Sequence, residues 1–437
     1  MHHLNDVETT GEVSAPTHCG LEHFCKFLSA TKTRNSKKNK GGLMVMSEDL
    51  YNARVQNLVD AINFREPQKV PVGMEFIMWP FAYAGKTYKE VMDDPSLTAE
   101  TYVKFLDDIS LDYVAMMPGV PHPVKTYQKL GYNDYVIARD DTGIGHVQAA
   151  AQFMRADEYP ELINDLTTFR EETMFKRKYP VFDQPKDMAY AALKEAAVEF
   201  KKFYLANSLI NENIYEKREI VSLLGPSSLR YSSAFNSIFD RYRGITNALV
   251  DLRRRPEIVR EACKVISEMA IKDLKAKPED YQGKSFPLGM TVYHSECFLS
   301  PDQFDEFFFK DFKNIFGPFM EAGAKFFLKG EGRFLNTIDR YRQLPKGAMV
   351  MMLDEDDPFE VYKAIGDWAT LATGIKSDLL KYGTKQQCID YVKKCFDTFA
   401  PGGGFIFLQN KPFLYAKDVT AENVVAAYEF ANEYGKK

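Results

Sequence analysis

The stretch Lys325-Phe-Phe-Leu-Lys-Gly-Glu-Gly-Arg333 decides how the rest of the chain is interpreted. Its apolar run ends abruptly at charged residues and glycines, which is typical of a short strand buried on both faces. In a barrel of parallel strands, the residues that follow each strand lie at the carboxyl-terminal face, where catalysis takes place. We therefore expect Lys329, Glu331 and Arg333 to lie in a functional site.

Seven further apolar runs alternate with segments of helical periodicity. The eight runs lie at 69–76, 111–118, 219–226, 286–294, 325–331, 348–354, 369–375 and 404–408. None shows the alternation of a strand with one solvent-facing side, so all eight are predicted to be parallel strands covered on both faces. The predicted fold class is α/β, a (β/α)8 barrel of the TIM type. A hairpin pattern at 135–147 and a proline-rich segment at 155–187 predict an insertion between the second and third strands.

The composition excludes several functional classes. The chain of 437 residues has a net charge of -5, which gives no reason to expect binding to nucleic acid or to an anionic membrane surface. No apolar run approaches the roughly 20 residues that span a bilayer. The six cysteines are scattered without a C-x-x-C motif, so we expect a reduced, cytoplasmic setting.

Residues 1–45 differ in composition from the remainder of the chain. They are polar, contain the basic run KTRNSKKNK at 32–40 and include no apolar segment of a secretory signal. We expect a disordered or non-native extension, the true start then being Met44 or Met46, in preference to a partner-binding arm. The barrel is expected to occupy residues 46–437.

Polar residues at or near the ends of the predicted strands are the candidate site residues. They are Glu75, Asp112, Tyr231, His294, Cys297, Lys329, Glu331, Arg333 and Lys411. His294 is the histidine that ends a predicted strand, where an imidazole either is structural or can donate a proton, accept one or bind a metal. Glu331 lies between Lys329 and Arg333, which favour its ionised form, as a paired ion or as a ligand. His294, Glu331 and Cys297 are zinc-ligand types, although their spacing matches no known motif.

Two further patterns have two interpretations each. Asp112 lies within an apolar run, where a carboxylate needs either a partner or a functional role. The phenylalanine-rich helix predicted at 304–316 is apolar around much of its circumference, unlike the amphipathic helices of an outer ring. That helix is either buried by the insertion or forms the interface of a homodimer.

From about residue 48 to the end, the chain resembles the uroporphyrinogen decarboxylase superfamily. The matching motifs are Phe64-Arg-Glu-Pro-Gln-Lys-Val-Pro-Val72, Leu224-Gly-Pro226, Arg255-Pro-Glu-Ile-Val259, Leu299-Ser-Pro-Asp-Gln-Phe304, Glu321-Ala-Gly323, GGGFI at 402–406 and DVTAEN at 418–423. The resemblance implies a (β/α)8 barrel with a cleft at the carboxyl ends of its strands. It also implies either porphyrinogen decarboxylation or corrinoid-linked methyl transfer.

The resemblance favours the methyltransferases over the true decarboxylases. Asp112 matches the decarboxylases' catalytic aspartate, but the arginines that clamp the substrate carboxylates have no counterparts at 75–86. The thiol-methylating branch binds zinc through an H-x-C motif, where this chain has Lys329-Gly-Glu331. Together with His294, that pattern resembles an anaerobic branch of corrinoid-linked demethylases.

The resemblance therefore implies methyl transfer from a small methylated substrate to a separate corrinoid protein, because the chain lacks the B12-binding motif D-x-H-x-x-G. In this hypothesis His294 donates a proton, Glu331 orients it or binds a metal, and Asp112 helps to position the substrate. The substrate-binding residues are then Tyr231, Arg333, Lys329, Glu75 and Lys411. Two alternatives are a cofactor-free decarboxylase that uses Asp112 to stabilise a cationic intermediate, and a barrel that binds a tetrapyrrole or corrinoid without catalysis.

Overall fold

The structure is a computed structural model that describes residues 48–116, 118–139, 143–147, 153–225, 229–415 and 417–436. The extension predicted at 1–45 and the turn of the predicted hairpin at 140–142 lie outside these residues. All eight predicted parallel strands are present, and a ninth short parallel strand joins them. The strands are β1 Gly73–Met74, β2 Tyr113–Val114, β3 Tyr135–Ile137, β4 Ile144–His146, β5 Val221–Ser222, β6 Arg230–Tyr231, β7 Gly289–Tyr293, β8 Phe326–Gly330, β9 Met349–Met352, β10 Thr370–Ile375 and β11 Phe405–Gln409.

The strands form two parallel sheets and one hairpin. The first sheet has the order β1-β2-β5, the second has the order β11-β10-β9-β8-β7-β6, and β3 pairs with β4 in the predicted antiparallel hairpin. Single parallel bridges join Val72 to Phe407 and Leu224 to Leu288, so residues beside β1 and β5 contact the second sheet. The chain is therefore a mixed α/β fold built on parallel strands.

Helices connect the strands and cover the sheets. The α-helices are α1 Glu48–Ile62, α2 Trp79–Tyr83, α3 Tyr88–Asp93, α4 Leu97–Asp108, α5 Val124–Lys129, α6 Tyr159–Asn164, α7 Leu166–Thr168, α8 Phe175–Lys178, α9 Lys186–Asn211, α10 Ala234–Ser237, α11 Ile245–Arg254, α12 Pro256–Asp273, α13 Pro301–Phe304, α14 Lys310–Ala322, α15 Pro358–Ile365, α16 Ser377–Tyr382, α17 Lys385–Phe399 and α18 Ala421–Tyr434. Short π-helical segments lie at Phe169–Met174, Glu212–Glu216, Ile238–Tyr242 and Asp305–Phe309. Within the described ranges, no helix combines the length and apolar character needed to cross a bilayer.

The phenylalanine-rich segment is buried within this chain. It forms α13, the π-helical segment Asp305–Phe309 and α14, and its phenyl rings are at most 5% exposed between Phe304 and Phe316. The rings contact aromatic side chains of three strands, Tyr231 of β6, Tyr293 of β7 and Phe326 of β8. Their burial is achieved by the strands on which they pack, and it requires no second subunit.

Candidate functional site

A pocket of about 410 Å³ lies at the carboxyl ends of β8, β9, β10 and β11. Three of the predicted site residues, Lys329, Glu331 and Lys411, line it, together with Asp354 and Asn410. These side chains follow different strands that are far apart in sequence, and they meet because the carboxyl ends of parallel strands share one edge.

The imidazole of His294 lies between two carboxylates beside this pocket. Its Nδ1 is 2.7 Å from Oδ1 of Asp240, and its Nε2 is 3.6 Å from Oε2 of Glu331. The hydrogen bond to Asp240 raises the pKa of His294 above its ordinary value, against the opposing effect of burial. The two carboxylates therefore favour the imidazolium, in which both ring nitrogens carry a proton.

Lys329 extends this arrangement into the interior. Its Nζ lies 3.0 Å from Oε1 of Glu75 and 3.5 Å from Oε1 of Glu331. Burial alone lowers the pKa of Lys329, but attraction by the two carboxylates outweighs burial and raises it. Glu75, which follows β1, is only 3% exposed, so its negative charge depends on this lysine. Negative and positive side chains therefore alternate along one series: Asp240, His294, Glu331, Lys329 and Glu75.

Buried hydrogen bonds join the loop that carries His294 to the helical segment that carries Asp240. Glu296 accepts hydrogen bonds from the backbone nitrogen of His294 at 2.8 Å and from Oγ of Ser233 at 2.7 Å. The backbone nitrogen of Ser295 donates to Oδ1 of Asn236 at 2.9 Å. Ser233 caps α10, whose helical path continues into Ile238–Tyr242 and carries Asp240. The loop after β7 is thereby fixed against the segment that supplies Asp240.

The turn after β8 requires glycine. Gly332 has a φ of 78°, and a Cβ at this position would lie 2.8 Å from Cβ of Cys297. Its backbone nitrogen donates to Oδ2 of Asp354 at 2.9 Å, and Nδ2 of Asn410 donates to the backbone oxygen of Asp354 at the same distance. These bonds join the turn to the residues that follow β9 and β11, which fixes Glu331 at the edge of the pocket.

The residues proposed as zinc ligands do not fit a zinc site. Sγ of Cys297 lies 3.5 Å from the backbone oxygen of His294. Nδ1 of His294 is bonded to Asp240, and its Nε2 lies 3.6 Å from Glu331. Within the part of the chain that the structure describes, no group of three or more His, Cys, Asp or Glu side chains is arranged to hold a metal ion.

Asp112 lies at the opposite end of the strands from His294, which corrects its predicted place. It directly precedes β2, and its Oδ2 accepts hydrogen bonds from Nζ of Lys69 at 2.7 Å and from the backbone nitrogen of Val72 at 3.0 Å. The apolar run begins at 111, but the strand itself begins at Tyr113, so the carboxylate falls at the amino end. Asp112 was expected to have either a partner or a functional role, and the structure supports the first, because Lys69 is its ionic partner.

Two other predicted residues contribute less than expected. The ring of Tyr231 packs against Phe308, Phe312 and Phe316, so it faces the helical layer and not the pocket. Arg333 is exposed, and it adds only slightly to the lowering of the Glu355 pKa, which is due mainly to the hydrogen bond from Lys411.

Lys411 lies at the pocket, as predicted, and is paired there. Its Nζ contacts Glu355 and lies 3.5 Å from Oδ1 of Asp354. Asp240 was missed by sequence reasoning, because it lies on the helical segment Ile238–Tyr242 and not at the end of an apolar run.

The fold is similar to that of a methyltransferase from Methanosarcina mazei. The two structures superpose with a TM-score of 0.50 and 14% sequence identity, over 86% of this chain and 98% of that chain. At this identity the similarity is one of fold alone. No family model and no curated protein matches the chain.

Proposed function

We propose that this protein is a methyltransferase of the uroporphyrinogen decarboxylase superfamily. It takes a methyl group from a small methylated compound and delivers it to the corrinoid of a separate protein. The observation that carries this proposal is the position of the His294 imidazole, which lies between Asp240 and Glu331 beside a pocket at the carboxyl ends of the strands. The similarity of fold to a methyltransferase is in keeping with it.

The proposal includes a closed (β/α)8 barrel made of β1, β2, β5 and β7–β11. Backbone hydrogen bonds between the two sheets support closure: Leu288 N donates to Leu223 O at 3.1 Å, and Phe407 N donates to Pro71 O at 2.9 Å. Such a barrel gathers all eight carboxyl ends at one mouth. It accounts for the meeting of Glu75 from the first strand with Lys329 from a strand more than two hundred residues later.

The chemistry assigned to His294 is proton donation to a leaving group. The corrinoid supplies the nucleophile, whose electron pair forms the new bond to the methyl carbon. The bond from that carbon to the substrate oxygen breaks, and the oxygen keeps the bonding pair and takes the proton from Nε2. Nε2 is 3.6 Å from Glu331, longer than an ordinary hydrogen bond, so its proton remains able to bond a substrate oxygen. General acid assistance of this kind is worth roughly 10²–10⁴-fold in rate.

The substrate class follows from this assignment. A methyl group bonded to oxygen leaves behind an oxyanion, which protonation stabilises, whereas a quaternary ammonium leaves as a neutral amine and gains nothing from an acid. The site therefore favours methyl ethers or methoxylated compounds. We assign Lys411, which lines the same pocket and is paired with Glu355 and Asp354, to positioning a polar group of the substrate. A decarboxylase has less support, because Asp112, on which it depends, is paired with Lys69 at the other end of the strands.

The test compares wild type with His294→Ala in single-turnover methyl transfer from methoxylated compounds to the cognate reduced corrinoid protein, followed by the corrinoid absorbance. The variant is expected to be roughly 10²–10⁴-fold slower. The deficit should shrink as the leaving oxygen becomes more acidic, because a better leaving group needs less protonation. His146→Ala is the matched control, since His146 also contacts a carboxylate, Asp134 at 3.4 Å, but Asp134, unlike Glu331, does not line the pocket.

Equal rates for wild type and His294→Ala would remove His294 from the mechanism. A deficit that does not vary with the acidity of the leaving group would also contradict proton donation. If no methoxylated compound yields a methylated corrinoid, and carbon dioxide is released from a small carboxylic acid instead, the protein is a decarboxylase.

A further inference from the structure

A second cavity lies at the amino ends of the strands, away from the pocket beside His294. It has a volume of about 440 Å³, opens to the surface, and is lined by the segments that precede β7, β8 and β9 and by residues at the end of α1 and after it. The charged side chains that line it are Arg65, Lys325 and Lys346, and all three are cationic. None of the described residues that form its lining is an aspartate or a glutamate.

Lys325 is the buried member of this set. It directly precedes β8, is 7% exposed, and donates a hydrogen bond to the backbone oxygen of Gly347. Burial and the neighbouring charge of Arg65 both lower the pKa of Lys325, to about 8. Lys329, near the other end of the same strand, has a side chain that is 14% exposed and lies between two carboxylates. The two lysines differ in that Lys325 has a second cation as its charged neighbour.

The other two cations lie where they can contact the same ligand. Arg65 is more exposed than Lys325 and is paired on one side with Asp60, whose Oδ1 is 2.8 Å from Nε. Lys346 is exposed, and its Nζ lies 5.0 Å from the centre of the Phe64 ring. Asn63 and Ser285 add polar groups to the lining and are bonded to each other at 3.1 Å.

We propose that this cavity binds the phosphate or carboxylate group of a small molecule between Lys325, Arg65 and Lys346. A buried ammonium without a counter-charge is unfavourable, and an oxyanion supplies that charge. Guanidinium and ammonium groups are the side chains that proteins use for phosphate and carboxylate. Since the cavity lies at the opposite end of the strands from His294, this binding is separate from the proposed reaction.

The experiment is isothermal titration of the full chain at pH 7 and constant ionic strength with inorganic phosphate and, separately, with succinate. We expect saturable binding at one site, weakened about 10- to 100-fold in Lys325→Met, because a charged hydrogen-bonding partner is lost. Lys264→Met, which changes an exposed lysine of α12, should bind as wild type does. His294→Ala should also bind normally, since the pocket beside it is not involved. Tighter binding of phosphate identifies a phosphorylated ligand, and tighter binding of succinate identifies a carboxylate.

The proposal is overturned if neither anion binds saturably or if Lys325→Met binds as tightly as wild type. It is also overturned if His294→Ala weakens binding as much as Lys325→Met does, because the anion then occupies the other pocket. If Lys325→Met does not fold, the same titration of Lys346→Gln, which changes an exposed side chain, tests the site instead. A several-fold loss of affinity supports the site, and an unchanged affinity refutes it.

Discussion

Replacing Asp240 by asparagine tests the electrostatic basis of the site without changing its shape. The 2.7 Å contact between Asp240 and His294 pairs a carboxylate with an imidazole whose pKa it raises. Asparagine keeps an oxygen that accepts the hydrogen bond from Nδ1, so the substitution removes the charge alone. We therefore expect the pKa of His294 to be lower in Asp240→Asn than in wild type.

The size of the effect follows from the contact and its exposure. Hydrogen bonds to charged groups contribute about 1.5–3 kcal/mol when shielded from water. The side chains of Asp240 and His294 are 29% and 37% exposed, so solvent screening reduces the contribution to about 1 kcal/mol. Because the pKa of His294 is raised in the folded protein, this stabilisation is fully present below the ordinary histidine pKa of about 6.5 and is lost as the pH rises through the raised value.

Two measurements check this prediction. Chemical-shift titration of histidine-labelled protein, with the His294 signal assigned by its absence in His294→Gln, should give a lower pKa in Asp240→Asn. Urea unfolding should show that Asp240→Asn is destabilised by about 1 kcal/mol more at pH 6 than at pH 9. The control Asp390→Asn, which alters an exposed residue of α17 bonded to Gln386, should show no such difference between the two pH values. A titration curve in Asp240→Asn that superposes on that of wild type would refute the reasoning, as would equal destabilisation at both pH values.

Two further predictions concern buried charges. Lys329→Met leaves the 3%-exposed Glu75 without its cation and should lower the free energy of unfolding by about 3–5 kcal/mol, measured by urea unfolding. Adding Glu75→Gln to Lys329→Met should restore part of that loss, and if it does not, the uncompensated charge is not its cause. Asp112→Asn should lower the free energy of unfolding by about 1–3 kcal/mol, because Lys69 loses its charged partner, while the rate of methyl transfer stays unchanged. A folded Asp112→Asn variant that no longer transfers methyl groups would return Asp112 to the reaction.

The positions of the parallel strands were predictable from the sequence because strands covered on both faces are apolar runs that end at polar residues. β8 is the clearest case, since its apolar run and its glycine-flanked end are typical of a buried parallel strand. β6 was not predictable, because Arg230 and Tyr231 lie in a polar stretch, whereas the equally short β1, β2 and β5 lie within longer apolar runs. The start of β2 was misplaced, since Leu111 is as apolar as the strand that follows Asp112.

The site was predictable where a side chain directly follows a strand and not where it lies on a helix. His294, Glu331 and Lys411 follow strands, and Lys329 is the last residue but one of β8, so all four were identified by their place at strand ends. Asp240 lies on a helical segment, and its approach to His294 depends on buried bonds made by Glu296, which no local pattern reveals. The apolar character of the phenylalanine-rich helix predicted that the helix is buried, but the sequence did not show which surface buries it.

The spacing of Lys325, which directly precedes β8, and Lys329, near its end, has a consequence for how this strand can change. Lys325 and Lys329 are separated by four residues in extended conformation, about 13 Å at roughly 3.3 Å per residue. Hydrogen bonds to β7 and β9 fix the register on both sides of the strand. An insertion or deletion of one residue here would reverse the orientation of every side chain beyond it and pull one ammonium group away from its end of the strand. The number of residues in this strand is therefore fixed, and its sequence can vary by substitution but not by insertion or deletion.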